Sequence, residues 1–200
     1  MANILLIDVD SKIPNLALMK LATYHKQQGD TVNLSTTNIS YYPAKKKRTV
    51  ISAINYDKVY VSAIFSNTLD YLTITDLPEQ IVYGGSGYDY HTVLDNQIEQ
   101  LSPDYFIYPQ NKVSYGFITR GCPKHCPFCI VPLKEGTIRL QNDWHSIVQH
   151  KIVKFLDNNF LAYRDHKSIL KELVDAHICF QFNQGLDITY LDEEDIQLLS

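Results

Sequence analysis

Three of the four cysteines in this 200-residue chain lie in one short stretch, Gly121 to Cys129. Cys122, Cys126 and Cys129 have the spacing C-x3-C-x2-C. Thiolates are soft ligands, and three of them on one loop suit an iron–sulfur cluster or zinc. A cubane 4Fe–4S cluster held by three thiolates keeps one iron without a protein ligand. A small molecule can chelate that open iron, which is the chemistry that this spacing offers.

The segments around the cysteines predict the elements that position them. Val113 to Thr119 alternates and is β-prone, which predicts a strand that runs into the cysteine loop. Lys151 to Asp157 and Ile178 to Asn183 are predicted as the next two strands, with a helix from about Arg164 to Ala176 between them. A further helix, capped by Asn142 or Asp143, is predicted to reach about His150.

At the cysteine loop the chain resembles the radical S-adenosylmethionine (SAM) superfamily, whose pattern is C-x3-C-x-Φ-C with an aromatic residue at Φ. Phe128 is that aromatic residue, and Arg120 to Pro123 is also similar to the family. The resemblance implies an enzyme in which the three cysteines hold a 4Fe–4S cluster and SAM binds the open iron. It further implies one-electron cleavage of SAM to methionine and a 5′-deoxyadenosyl radical, fed by a donor such as a flavodoxin or ferredoxin. Phe128 is then expected to pack beside the adenine.

A second match follows the next predicted strand. Asp157 to Phe160 reads Asp-Asn-Asn-Phe and resembles the Asp-Asp-Asn-Phe turn of one branch of the family, with Asn158 in place of the second aspartate. Polar groups at the carboxyl ends of barrel strands face the active site. The resemblance therefore implies that Asp157 and Asn158 bind the SAM ammonium group, and Gln184 after the third strand is expected to line the same pocket. The alternative is an ordinary asparagine-rich turn.

Other uses of the cysteines remain open at this point. Zinc could take the three thiolates with His125 or an outside ligand, in a non-catalytic zinc or iron–sulfur module. Structural zinc sites usually pair two knuckles, and Cys179 stands alone. Disulfides fit a secreted chain, whereas the N-terminus has no signal-peptide pattern, so we expect a reducing cytoplasm. No apolar run is long enough to span a bilayer, and no membrane partner is expected.

Residues 1–112 are predicted to form a doubly wound parallel α/β domain, because strand and helix patterns alternate along them. An apolar run from Asn3 that ends in acids predicts a buried first strand. A helix after Pro14, capped at its end by Gly29, and another capped by Asn67 are predicted beside the sheet. The four later strands are predicted at Thr31 to Leu34, Asp57 to Phe65, Gln80 to Tyr83 and Tyr105 to Tyr108.

This first domain resembles the cobalamin-binding domain that precedes the barrel in the same branch. The matches are Ser62 to Ile64 at the third strand and Gly84-Gly85 after the fourth. Asp10 replaces the axial histidine that the branch often carries, and Ile13 replaces its glycine. We therefore expect no histidine-ligated cobalamin and a ligand-free structural domain.

The fold class expected is α/β, with this domain followed at residues 113–200 by the first half of a partial (β/α) barrel. Three strand–helix units follow Val113, against about six in the family, so cluster binding without sustained turnover is expected of this chain. The basic run Lys45 to Arg48 offers a contact for RNA, as in a methylthiotransferase-like enzyme, although a solvated loop is the plainer interpretation. The net charge of -4 argues against a general nucleic-acid binder. Neither the substrate nor a catalytic side chain is indicated.

Overall fold

A computed structural model describes residues 1–40, 42 and 47–200. The chain divides into two compact units, Met1–Asn111 and Lys112–Ser200. Within the described ranges, none of the helices has both the length and the apolar character needed to cross a membrane.

The described residues of the first unit contain six strands and two α-helices. The strands β1, β2, β4 and β6 form a parallel sheet in the order β2-β1-β4-β6, and β3 and β5 form a separate parallel pair. The predicted α/β class with a parallel sheet is confirmed. The elements are β1 (Asn3–Asp8), α1 (Leu16–Gln27), β2 (Thr31–Thr36), β3 (Thr49–Ser52), β4 (Lys58–Ser62), β5 (Leu72–Thr75), β6 (Gln80–Gly84) and α2 (Asn96–Glu99).

The two faces of β1 are both buried, as its continuous apolar run predicts. Ile4 and Leu6 pack with Leu18 of α1 on one face. Leu5 and Ile7 face the other way and pack with a cluster that includes residues of β3 and β5. The second face is therefore covered by the small β3/β5 pair, where a doubly wound domain would have a helix.

Two predicted elements of the first unit are wrong. Tyr105–Ile107 is a one-turn 3-10 helix and no strand, because the Asp104 side chain accepts a hydrogen bond from the Phe106 amide (2.9 Å) and caps the turn. The helix predicted after β4 is also replaced, by a one-turn 3-10 helix at Leu69–Tyr71 that leads directly into β5.

The second unit is built on three parallel strands in the order β11-β10-β7, and β8 and β9 form a short antiparallel pair. Its core combines side chains from the sheet with Trp144, Phe160, Leu170 and Leu173. The elements are β7 (Val113–Gly116), β8 (Thr119–Arg120), α3 (Val131–Lys134), β9 (Arg139–Leu140), α4 (Trp144–Ile147), β10 (Ile152–Phe155), α5 (His166–Asp175), β11 (Cys179–Phe182) and α6 (Glu193–Leu199).

The helix α4 ends earlier than the sequence predicts. Asp143 caps it as expected, since its side chain accepts from the His145 amide, yet the helix stops at Ile147. The Ser114 hydroxyl accepts hydrogen bonds from the amides of Gln149 and His150, both at 2.8 Å. These amides are therefore used outside the helix, and the chain turns into β10.

Candidate metal centre

The cysteine loop lies at the edge of the second unit's sheet where its parallel strands end. The Leu156 amide donates to the Gly116 carbonyl and the Asn183 amide donates to the Phe155 carbonyl, both at 2.8 Å. These bonds keep the residues that follow β7, β10 and β11 side by side. Because parallel strands share one direction, their exit loops gather at the carboxyl edge, where barrel enzymes place their sites.

A glycine sets the entry to the loop. Gly121 has φ +85°, and a Cβ built there would lie 2.3 Å from the Thr137 carbonyl oxygen. The amide of Cys122 then donates to the Gly136 carbonyl at 3.1 Å. The first cysteine is therefore held against the returning chain before β9, at a distance that leaves no room for a side chain at residue 121.

The three loop cysteines are free thiols and are half-buried, whereas Cys179 on β11 is exposed. The Cys129 amide donates to the Cys126 carbonyl at 3.0 Å, which closes a turn between these two cysteines. Three cysteine sulfurs on one loop are a donor set that suits a soft metal centre. In the described part of the chain, no three His, Cys, Asp or Glu side chains are already gathered as a metal site.

Asp157 holds the backbone that leads into the loop. Its carboxylate accepts hydrogen bonds from the amides of Ile118 and Thr119 and from the Thr119 hydroxyl (2.7 Å). The side chain is only 1% exposed, and burial raises its pKa from 3.8 to about 6, against the opposing effect of these hydrogen bonds. Both carboxylate oxygens are thus occupied by the chain, and Asp157 fixes the bend between β7 and β8.

We expect Asp157 to make the unfolding free energy pH-dependent. A carboxyl whose folded-state pKa lies above its unfolded value favours folding at low pH, and this contribution is lost as the pH rises through about 6. A pKa raised from 3.8 to about 6 corresponds to roughly 3 kcal/mol. Relative to Asp157→Asn, the wild-type protein should therefore lose about that much stability between about pH 4 and pH 7, measured by chemical denaturation. Asp165→Asn, at an exposed carboxylate of the same unit, is the control, and parallel pH profiles for wild type and Asp157→Asn would contradict the assignment.

Asn158 joins the turn after β10 to the residues around the loop. Its Nδ2 donates to Oε2 of Glu135, which also accepts from the Gly121 amide at 3.3 Å. The other oxygen of Glu135 accepts from Arg120 at 3.0 Å. Glu135 therefore links Asn158 to both residues that precede Cys122.

Asn159 is the site residue that the sequence prediction missed. Its Nδ2 lies 3.4 Å from Sγ of Cys122 and 3.2 Å from Oδ2 of Asp187. The side chain is 4% exposed, and its Oδ1 has no hydrogen-bond partner among the described residues. The only sequence signal was its place in the Asp-Asn-Asn-Phe turn, which did not distinguish it from its neighbours.

Asp187 connects the loop after β11 to the cysteine loop. Its carboxylate pairs with Lys124, which lies between the first two cysteines, and accepts from the amide (3.1 Å) and hydroxyl (2.7 Å) of Thr189. These hydrogen bonds, the one from Lys124 first, hold the pKa of Asp187 well below its usual range. Hydrogen bonding to Asp187 in turn raises the pKa of Lys124.

The remaining predicted site residues lie at the surface. Phe128 is 90% exposed, and Gln184 is exposed as well. The structure thus brings Asn158 into contact with groups that hold the cysteine loop, and it leaves Phe128 and Gln184 outside this network. In the basic run, Lys45 and Lys46 lie outside the described residues, and Lys47 and Arg48 are exposed.

In the first unit, two positions that were compared with the cobalamin-binding domain, Asp10 and Gly85, serve the backbone. Asp10 is fully buried and accepts from the amides of Ile64 (2.7 Å) and Phe65 (3.0 Å) and from the Thr68 hydroxyl (2.7 Å). A Cβ built on Gly85 would lie 2.2 Å from the Ala63 carbonyl oxygen. This glycine therefore allows two chain segments to approach each other.

Neither a family model nor a curated protein matches this chain.

Proposed function

We propose that this chain is a radical SAM enzyme in which Cys122, Cys126 and Cys129 hold a 4Fe–4S cluster. The observation that carries the proposal is a loop of three free, half-buried thiols in C-x3-C-x2-C spacing at the carboxyl edge of a parallel sheet. Three thiolates bind three irons of a cubane and leave the fourth for a small-molecule chelate. The amino and carboxylate groups of SAM are such a chelate.

A bound cluster would supply one electron that breaks a carbon–sulfur bond of SAM, yielding methionine and a 5′-deoxyadenosyl radical. A small reduced protein such as a flavodoxin or ferredoxin is the proposed electron donor. The chain's own task is to hold SAM and keep water from the radical.

Side chains around the loop support distinct roles in SAM binding. Because both oxygens of Asp157 accept from the chain, we assign the contact with the SAM ammonium group to the carbonyl oxygen of Asn158. Its Nδ2 is committed to Glu135, which orients that oxygen. Phe128, with its ring in solvent, is assigned to pack on the adenine, and Gln184 to contact the cofactor from the loop after β11.

We also propose a specific fold for each of the two units. We assign the second unit to the first half of a partial (β/α) barrel, because β7, β10 and β11 lie side by side in the sheet in chain order and are parallel. The first unit is assigned to a cobalamin-binding-like domain without cobalamin, since Asp10 is occupied by three donors. Free thiols on a metal-binding loop fit a reducing compartment, and the proposed location is the cytoplasm.

The test is anaerobic purification and reconstitution with iron and sulfide, followed by iron, sulfide and zinc analysis. We expect about four irons per chain and a broad visible charge-transfer band. Dithionite and SAM should then give 5′-deoxyadenosine in a single turnover and not in sustained turnover, and samples lacking either reagent are the controls. Stoichiometric zinc without iron uptake would favour a zinc module, and an intact cluster that yields no 5′-deoxyadenosine would favour a non-catalytic iron–sulfur module.

A further inference from the structure

We propose that Asn159 is a positioning residue that donates an N–H···S hydrogen bond to Cys122, and that Asp187 sets the orientation of its amide. This inference rests on the proposed function in one respect, namely that Cys122 ligates the cluster. The hydrogen bond itself is a property of the chain and can be tested without metal.

The Asn159 amide lies between a sulfur and a carboxylate. Its Nδ2 carries two hydrogens and has two acceptors within reach, Sγ of Cys122 at 3.4 Å and Oδ2 of Asp187 at 3.2 Å. Sulfur is a large acceptor, so 3.4 Å is a bonding distance for N–H···S. Asn159 is 4% exposed, so water hardly competes for the hydrogens of its amide.

Asp187 determines which end of the Asn159 amide faces Cys122. An ionised carboxylate only accepts hydrogen bonds, so the group that Asn159 presents to Asp187 must be its NH2. Lys124 pairs with Asp187 and keeps that carboxylate ionised. If the amide were flipped, its oxygen would face the Asp187 carboxylate and the Cys122 sulfur. Both contacts would then bring two acceptors together without a hydrogen between them. Asp187 therefore directs the second hydrogen toward Cys122.

An N–H···S hydrogen bond to a ligand sulfur changes the reduction potential of an iron–sulfur cluster. Reduction adds negative charge to the cluster and its ligand sulfurs, and an N–H donor stabilises that charge. Hydrogen bonds to the sulfurs are accordingly one of the factors that set the reduction potentials of iron–sulfur clusters. Residues that hold metal ligands also influence metal affinity, and their loss typically costs about 10- to 100-fold. Asn159 thus acts on the cluster through Cys122.

The test compares Asn159→Leu with wild type. Leucine has the same branching at Cγ and the same number of non-hydrogen atoms as asparagine, removes the donor, and also removes the unpaired buried Oδ1, so the variant is expected to fold. Reconstituted Asn159→Leu should have a more negative midpoint potential than wild type in an EPR-monitored redox titration, and it should lose iron faster to a chelator. Asn142→Ala is the control, because its half-buried amide donates to the Phe117 carbonyl and not to a sulfur, and its potential should equal that of wild type.

A metal-free measurement separates this inference from the proposed function. The nucleophile in alkylation is a thiolate, so iodoacetamide applied to the apo chain at about pH 10 reports the nucleophilicity of each sulfur. Loss of the N–H donor should speed alkylation of Cys122 in Asn159→Leu, with Cys126 and Cys129 unchanged. If the wild-type protein takes up no iron, the proposed function is wrong. The alkylation rate of Cys122 in the apo chain still tests the hydrogen bond in that case. Unchanged potential together with an unchanged Cys122 rate would overturn the inference.

Asp187→Asn supplies a second variant that leaves Asn159 in place. An asparagine at residue 187 can both donate and accept, so it no longer dictates which end of the Asn159 amide faces Cys122. Because this change also removes a negative charge near the proposed cluster, which by itself raises the potential, its readout is the alkylation rate of Cys122 in the apo chain. We expect that rate to rise as in Asn159→Leu, but less. A Cys122 rate identical to wild type would show that Asp187 does not orient the amide.

Discussion

Replacing Cys122 with alanine is expected to reduce the iron content of the reconstituted protein from about four per chain to near zero. The same loss is expected for Cys126→Ala and Cys129→Ala, because two thiolates cannot retain a cubane in competition with solvent and chelators. Iron and sulfide assays and the visible charge-transfer band measure the effect. The apo variants should unfold like the apo wild type, since the loop thiols make few contacts that stabilise the fold.

Cys179→Ala is the matched control. Cys179 is an exposed free thiol of the same unit that lies on β11, outside the cysteine loop. It should retain the full iron content and the same absorbance. Retention of iron by Cys122→Ala, or loss of iron in Cys179→Ala, would mean that the cluster ligands are not those of the C-x3-C-x2-C loop.

The sequence predicts correctly those parts of the fold whose burial shows as an apolar pattern within a short segment. The continuous apolar run of β1 predicts a strand covered on both faces, and Ile4 to Ile7 are all buried. The helix α5 was predicted at about 164–176 and is found at His166–Asp175, because its apolar spacing marks one buried face. In such segments the local pattern and the tertiary environment agree.

The errors arose where distant partners decide the local structure. The apolar sequence Tyr-Phe-Ile-Tyr at 105–108 favours a strand, yet the chain turns there, and the Tyr108 hydroxyl donates to Asp8 at 2.6 Å. These two residues are 100 positions apart, so no local pattern announces the bond. The early end of α4 is a similar case, since Ser114 takes the amides that would have continued the helix.

The candidate site likewise has one part that the local sequence predicts and one part that depends on distant contacts. The cysteine spacing is contained in eight consecutive residues, so the sequence is sufficient to propose the ligands. The contacts of Asn159 require β7, β10 and β11 to lie side by side, which the sequence does not specify. Asp157 is expected to contact SAM because of its resemblance to the family's turn, and the structure adds a role that the sequence did not indicate, its hydrogen bonds to Ile118 and Thr119.

Replacing Gly121 with alanine is the second change that we expect to have a large effect, and Gly136 provides the comparison. Gly121 and Gly136 both have positive φ, +85° and +73°, so an alanine at either position incurs the cost of the left-handed region, about 1 kcal/mol. Only Gly121 is also crowded, since its Cβ would lie 2.3 Å from the Thr137 carbonyl oxygen and 2.7 Å from that of Gly136. Both of these atoms belong to the backbone and cannot swing aside as a flexible side chain would.

We therefore expect Gly121→Ala to lower the unfolding free energy of the second unit by about 3 kcal/mol or more, and Gly136→Ala by about 1 kcal/mol. Because the left-handed cost is common to both variants, the difference between them isolates the close approach of two backbone segments at the loop entry. Chemical denaturation measures the stability, and reconstitution measures iron uptake. Iron uptake should fall in Gly121→Ala, since the shift needed to relieve the clash displaces Cys122, and should persist in Gly136→Ala. Equal losses in the two variants would mean that the chain opens at Thr137 without disturbing the loop, and the crowding at Gly121 would then not be what positions the first cysteine.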